Sequence, residues 1–450
     1  MNITSIILAA GQGTRMRSRL PKVLHLLAGR PLICHCIDAA QQVCQQNPIV
    51  VLGHGADAVQ KVIAETAQIV IQEQQLGTAH AVMATEPVLA GKTGLILVTY
   101  GDMPLLTPET LQRLVQVQQS NPGPITLLTI ESGAPRGFGR ILRKPDGSLI
   151  GIIEEAQASP QQLNISELNA GIYCFQAKWL YGALKRVPLS PKGEYYLTDL
   201  VGLAVADGLH VSSLLLEDAS EALGINNRIH LAEAEMILRR RTNQALMLSG
   251  VTLVDPETTY IDPGVRVGTD TIIYPNTHLR SGTTIGEDCR IGPNTLIEGT
   301  LVGNRCAILY SVLEGAVVED GVSIGPFGHL RKGAHLAENV HMGNFGEVKD
   351  SYLGPGTKMG HFSYIGNATT GTNVNIGAGT ITCNFDGVHK FPTEIGSDVF
   401  IGSDTMLVAP LKLGERSRTG AGSVVTHDVP PDTTVYGVPA RQHNNQRQGD

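Results

Sequence analysis

From residue 267 onward, aliphatic residues return every six positions, a period that suits neither a helix nor a hairpin. The series runs Val267, Ile273, Leu279, Ile285, Ile291, Ile297. It resumes as Val312, Val318, Ile324, Leu330, Leu336, Met342, Val348, and again as Ile395, Ile401, Leu407, Leu413. Glycine commonly follows the aliphatic residue, as at Gly268, Gly286, Gly292 and Gly402, and Thr271, Thr277, Thr283, Cys289 and Thr295 sit two positions before one. This hexad predicts a parallel β-helix in which three hexads close one triangular coil. The aliphatic residue fills the interior, and the glycine or a polar residue permits the turn. Such a coil fixes shape and leaves activity open.

The rest of the chain follows other rules. Of 450 residues 51 are glycine, and they concentrate after residue 260. A chain of this length exceeds one ordinary core, and two domains are expected. Residues 228–248 (RIHLAEAEMILRRRTNQALML) lack Gly and Pro, with Ile229, Ala232, Met236, Ile237 and Leu246 near helical spacing before a Ser249-Gly250 stop. That predicts a helical rod of about 30 Å. The expected division is 1–227, a helical linker over 228–250, and 251–450.

A formal net charge of −7 argues against a nucleic-acid surface. Seven cysteines, without paired CxxC motifs, suggest reduced thiols in a cytoplasmic protein, with Cys34 and Cys36 packed on a helix. The run from Ile3 to Ala10 is too short to span a membrane and has no basic start.

In the first half, Ile3–Ala9, Ile49–Leu52, Ile69–Gln72 and Leu95–Thr99 are apolar runs of the kind that form parallel strands buried on both faces. The first leads into Leu8-Ala9-Ala10-Gly11-Gln12-Gly13-Thr14-Arg15-Met16, a glycine-rich turn whose N–H groups can approach phosphate oxygens. It is not the Walker pattern, and alone it is a common turn. Arg15 and Lys22 supply cations nearby. The fourth run ends Tyr100-Gly101-Asp102, placing a carboxylate at the crevice where such sheets bind ligands. Asp102 is a candidate Mg²⁺ ligand, since Mg²⁺ on phosphates takes only one or two protein carboxylates.

These segments, with LPKVL and TYGDMPLL, resemble the sugar-phosphate nucleotidyltransferase family. The stretches at 72–81, 137–140, 153–155, 168–172 and 194–199 narrow the resemblance to the uridylyltransferase half of the bifunctional GlmU family. It implies that Leu8, Ala9, Ala10, Gly11, Arg15 and Lys22 hold the UTP phosphates and that Gln72, Gly77 and Thr78 read the uracil. Tyr100, Gly101 and Asp102 are expected to contact the nucleotide or sugar nucleotide, while Gly139, Glu154 and Asn169 position N-acetylglucosamine. A second metal ligand is expected from Gly224-Ile225-Asn226-Asn227-Arg228, with Asn226 favoured over Asn227. Otherwise both asparagines cap the helix that starts near Arg228.

In the second half the hexads break at Thr382–Glu394, which should project as a loop. Arg331 and Lys349 are eighteen residues apart, one full coil, so the two cations should stack as a phosphate site. Together with His361, Tyr364, Asn375 and the 383–387 segment they resemble the acetyltransferase half of the same family. That resemblance implies a left-handed β-helix, three chains side by side, and acetyl-CoA held between neighbours. His361 is then the general base, and Arg331, Lys349, Tyr364 and Asn375 hold glucosamine-1-phosphate. Ala378, Asn384, Phe385, Ser403 and Ala421 line the acetyl-CoA groove. Phe385 stands where the family often has Tyr, and the 435–441 segment lacks the usual basic contact to coenzyme A, leaving Arg441 as the candidate.

The expected activity is acetyl transfer to glucosamine-1-phosphate followed by uridylyl transfer from UTP, giving UDP-N-acetylglucosamine. Two rivals are a single-activity pyrophosphorylase with a regulatory β-helix and a non-enzymatic scaffold. His361, Asn375 and Asn384 count against the first; Asp102 and Lys22 count against the second.

Overall fold

The computed structural model describes residues 2–133 and 137–443. The chain divides into two compact units, Met1–Leu238 and Arg239–Asp450.

The first unit is built on a nine-stranded sheet. Its strands are β1 (Ile3–Ala9), β2 (Ile49–Leu52), β3 (Gln68–Ile71), β4 (Leu95–Tyr100), β5 (Ile125–Glu131), β6 (Arg140–Arg143), β7 (Leu149–Ile153), β8 (Glu167–Gln176) and β9 (Val211–Leu215). The spine runs β9-β5-β8-β4-β1-β2-β3, and the hairpin β6–β7 joins it through β8. All spine pairs are parallel except those made by β8, which is antiparallel to both β4 and β5. Ile6, Ile7, Val50, Val51, Ile96, Leu97 and Val98 are all sealed from solvent, as central parallel strands covered on both faces require. Helix α1 (Leu32–Cys44) buries Cys36 and leaves Cys34 partly exposed, and none of the seven cysteines is in a disulfide. Helices α2 (Thr78–Met83) and α3 (Pro108–Ser120) follow β3 and β4.

Helix α4 occupies Arg228–Leu248, the span read from the sequence. Its apolar pattern was misleading in detail, because Ile229 and Met236 are exposed. The residues that pack in the first unit are Leu231, Ala234, Ile237 and Leu238, against Leu27, Leu105 and Ile225. In the second unit, the buried Asn243 donates to the carbonyl oxygens of Pro256 and Thr259. Among the described residues no helix is long and apolar enough to cross a membrane.

The second unit is a parallel β-helix whose three faces are sheets of 12, 10 and 9 strands. Its interior is a continuous column in which Ile273, Leu279, Ile291 and Ile297 are fully buried, with Thr271 and Thr277 beside them. The strict hexad fails in the middle. Register pairs Leu296 with Val312 and Leu301 with Val317, so these coils are shorter than eighteen residues. The interior position consequently falls on Leu313, fully buried, while Val312 faces out.

Gly292 does take a positive φ of +91°, but other glycines do a different job from the one expected. A Cβ on Gly268 would lie 2.6 Å from the carbonyl carbon of Gly286, and one on Gly286 would lie 2.7 Å from that of Gly303. Stacked corners approach too closely for a side chain. The left-handed turn itself is made two residues later by Asp270 and Asp288, residue types that tolerate positive φ. The projecting loop is narrower than the hexad break suggested. Thr382 and Thr393 are buried strand residues, so the excursion is confined to 384–392. The 12-stranded sheet ends in a hairpin, Thr434–Gly437 with Ala440–His443, whose second strand runs antiparallel.

Candidate active sites

In the first unit the end of β1 opens into the glycine loop. Gly13 has φ +62°, and a Cβ there would come within 2.7 Å of the Lys22 Cβ, so this glycine lets the loop close onto Lys22. The side chain of Lys22 reaches the end of β4, where its Nζ contacts Asp102 Oδ2 and donates to Asn226 Oδ1 at 3.1 Å. Arg15 donates to the same Asn226 oxygen at 2.9 Å. Asn227, the neighbour, accepts from the His230 N–H at 2.9 Å and caps α4. Asn227 thus takes the cap, while Asn226 turns toward Lys22 and Arg15.

Two cavities meet at this cluster. One, of about 460 Å³, is lined by Leu8, Ala9, Ala10, Gly11, Lys22, Gln72, Gly77, Thr78, Tyr100 and Asp102. The other, of about 330 Å³, is lined by Gly139, Glu154, Asn169 and Asn226, and it shares Thr78, Tyr100 and Asp102 with the first. Gly101 lines neither; it packs against Ile33, Ala9 and Val23. Gln72 is buried, its amide nitrogen placed between the Gly77 carbonyl and His80 Nδ1. Burial pushes the Tyr100 phenol well above its usual range, so it stays neutral.

The 194–199 segment clamps these walls together. Ala79 N–H donates to the Tyr195 carbonyl and Leu197 N–H donates to Thr78 Oγ1. Thr198 donates to Glu154 at 3.0 Å. A Cβ on Gly77, at φ +99°, would meet the Tyr195 carbonyl oxygen at 2.6 Å. Arg140, buried and paired to Glu155 at 2.7 Å, secures the hairpin that carries Gly139 and Glu154.

In the second unit Arg331 follows strand 329–330, and register sets it beside Lys349 in the next coil. Arg331 pairs with Glu347 at 2.9 Å. Lys390, on the 384–392 loop, also reaches Lys349. Its charge, and then that of Arg331, lower the Lys349 pKa. Sequence reading missed Lys390, because only the fold of the loop carries it back to a cation so distant in the chain. The Phe385–Lys390 bridge that shapes the loop leaves the Phe385 ring exposed. Tyr364 pairs with Glu347, and its hydroxyl lies over Gly366 next to the Asn384 amide, which donates to Asn367 at 2.7 Å.

His361 ends the strand Lys358–His361, is exposed at a corner, and meets Asn344 through Nδ1. Asn375 lies on the 12-stranded face, whereas Lys349 and Tyr364 lie on the 10-stranded one. Ala378, Ser403 and Ala421 occupy one corner in three successive coils. Asp404 N–H donates to the Ala378 carbonyl, and Gly422 N–H to that of Ser403. The row continues to Tyr436, whose cross-strand partner is Arg441.

Comparison with known proteins bears on both units. The MobA-like NTP transferase domain family matches residues 5–186. The six-repeat bacterial transferase hexapeptide family matches 264–299, and the hexapeptide repeat of succinyl-transferase matches 392–427. A protein of Geotalea uraniireducens named "Bifunctional protein GlmU" is 45% identical over 96% of this chain and 95% of its own length. The chain belongs to the GlmU family. Other GlmU relatives include one from Streptococcus agalactiae, 42% identical over 99% of this chain and 97% of its own. One from Pelotomaculum thermopropionicum is 48% identical over 92% and 90%. As a GlmU, the chain is an enzyme with uridylyltransferase and acetyltransferase activities that together make UDP-N-acetylglucosamine, acting on UTP and acetyl-CoA. Similarity running through both units removes the single-activity reading.

Proposed function

We propose that uridylyl transfer takes place where the two first-unit cavities meet, and acetyl transfer at the His361 corner. The observation that carries the first assignment is the meeting of Lys22, which lines the larger cavity, with Asn226, which lines the smaller, beside Asp102, which lines both. UTP fits the larger cavity, with its phosphates against residues 8–11, Arg15 and Lys22 and its uracil toward Gln72, Gly77 and Thr78. The N-acetylglucosamine-1-phosphate product of the other site fits the second, held by Gly139, Glu154 and Asn169. Its phosphate is already an anionic nucleophile, so the residues need only align it and neutralise charge on UTP. The chemistry of the donors fits Mg²⁺. Asp102 and Asn226 both point an oxygen at one cation, the Lys22 ammonium, and one carboxylate suffices for Mg²⁺ shared with phosphates. When bound there, Mg²⁺ would offset charge developing toward pyrophosphate.

At the other site, Arg331, Lys349 and Lys390 bind the phosphate of glucosamine-1-phosphate, and Tyr364 and Asn375 orient its sugar. His361 takes a proton from the amine as nitrogen attacks the thioester carbonyl, releasing coenzyme A. The stacked corners at Ala378, Ser403 and Ala421 carry acetyl-CoA, with Asn384 and Phe385 beside them and Arg441 toward its phosphates.

These residues span two faces of a convex corner, and small ligands bind in concavities. A neighbouring copy supplies the missing wall, so the working form is a homotrimer assembled through residues 251–450. Tyr310, Phe327, Phe345 and Phe362 support this. They form a half-exposed ladder along the same edge, with successive ring centroids 6.1, 5.0 and 4.9 Å apart. The functional division is 1–227, 228–250 and 251–450, and the cytoplasm is the compartment where the reduced cysteines fit. Coenzyme A release with glucosamine-1-phosphate, measured beside UTP-dependent pyrophosphate release, tests both assignments. Absence of either product from folded enzyme counts against the corresponding site.

A further inference from the structure

A neutral imidazole acts as a base through whichever ring nitrogen lacks the proton, and the partner of the other nitrogen decides which that is. In this chain the partner is a side chain. Asn344 ends the strand His341–Asn344 and is paired in register with His361 one coil on. Its Oδ1 lies 2.5 Å from His361 Nδ1. An amide oxygen only accepts, so Nδ1 carries the hydrogen and the lone pair resides on Nε2. The main chain holds the same pair together. Phe362 N–H donates to the Asn344 carbonyl at 3.1 Å, and a Cβ on the preceding Gly343 would collide with the carbonyl oxygen of Gly360. The glycines let the two coils close up at the point where the side chains must meet.

We infer that Asn344 is a positioning residue for acetyl transfer, holding His361 as the Nδ1–H tautomer with Nε2 free to take the amine proton. This rests on His361 being the base. No other residue proposed for the site plays that part, since Arg331, Lys349 and Lys390 are phosphate cations and Asn384 is committed to Asn367. The analogous carboxylate in serine proteases shows how far a wrong tautomer depresses turnover.

The test uses the full-length chain with Asn344→Ala, Asn344→Asp and His361→Ala. Asn344→Ala should lower kcat for acetyl transfer by about tenfold or more, with little change in KM for either substrate. Asn344→Asp keeps an accepting oxygen in place and should recover most of that loss. Pyrophosphate formation, unchanged in all three, reports an intact first unit, and an unchanged melting temperature of the second unit reports that the β-helix is folded. An unchanged kcat in Asn344→Ala overturns the inference, as does a loss in Asn344→Asp equal to that in Asn344→Ala. If those results accompany a strong defect in His361→Ala, only the role of Asn344 falls. If His361→Ala is itself fully active, the base assignment falls and Asn344 with it.

Discussion

Asn226 and Asn227 are adjacent in the chain and serve different ends. Asn226 turns its oxygen to Lys22 and Arg15 beside Asp102, while Asn227 turns its own to the first turn of α4. The cap fixes the start of the helix, and the helix start holds Asn226 against the smaller cavity. Substituting Asn227 by Ala should therefore disturb uridylyl transfer indirectly, through a loosened helix terminus costing about 1 kcal/mol. Asn226→Ala should reduce it directly, with the melting temperature of the protein little changed. Equal melting temperatures and equal activities for the two variants would contradict this division.

Asp102→Ala should separate the two activities. Loss of the carboxylate proposed to face the phosphates should cut pyrophosphate formation about 100-fold or more. Acetyl transfer, which uses residues of the other unit, should be nearly intact. Loss of both activities from a folded Asp102→Ala protein would defeat the two-site assignment.

Lys390→Ala should raise KM for glucosamine-1-phosphate by roughly tenfold to a hundredfold, the range expected for one charged hydrogen bond. It should also change the pH dependence. Lys390 and Arg331 lower the Lys349 pKa, so Lys349 loses its proton earlier as pH rises and phosphate affinity falls with it. Removing Lys390 takes away part of that repulsion, and the alkaline loss of affinity should move to higher pH. An unaltered KM would remove Lys390 from the site.

His361→Ala should reduce acetyl transfer by on the order of a hundredfold or more. Acetyl-CoA binding and uridylyl transfer should persist. A merely structural histidine would instead lower the melting temperature while activity per folded molecule stayed constant, so both quantities should be read on one preparation.

Placing a charge in the aromatic ladder, as in Phe345→Glu, should break up the proposed trimer, read by sedimentation as a smaller species, and depress acetyl transfer while pyrophosphate formation continues. A variant that sediments and acetylates like the parent would leave the ladder without a role in assembly.

The sequence revealed what repeats and what is local. Aliphatic residues at 273, 279 and 291 announced the coil because each occupies the same interior position. Reading failed at Val312, where shortened coils shift the phase so that Leu313 turns inward, a change set by backbone register rather than residue type. Ile229 and Met236 misled because helical spacing marks a face without saying whether anything covers it. Asp102 could be placed in advance just past the end of a buried strand, and Lys22 as a cation near the glycine loop. Lys390 could not, since its partner is chosen by the path of the 384–392 loop.

The antiparallel hairpin at 434–443 has a consequence for how copies of the molecule can meet. A β-helix offers an unsatisfied strand at the end of each face, a ready template for polymerisation into a fibre. On the 12-stranded face the last strand is reversed. An incoming coil of the same sense would have to pair antiparallel there, and Arg441 beside it adds an exposed charge. A charged edge of that kind resists end-to-end pairing along the axis at that face.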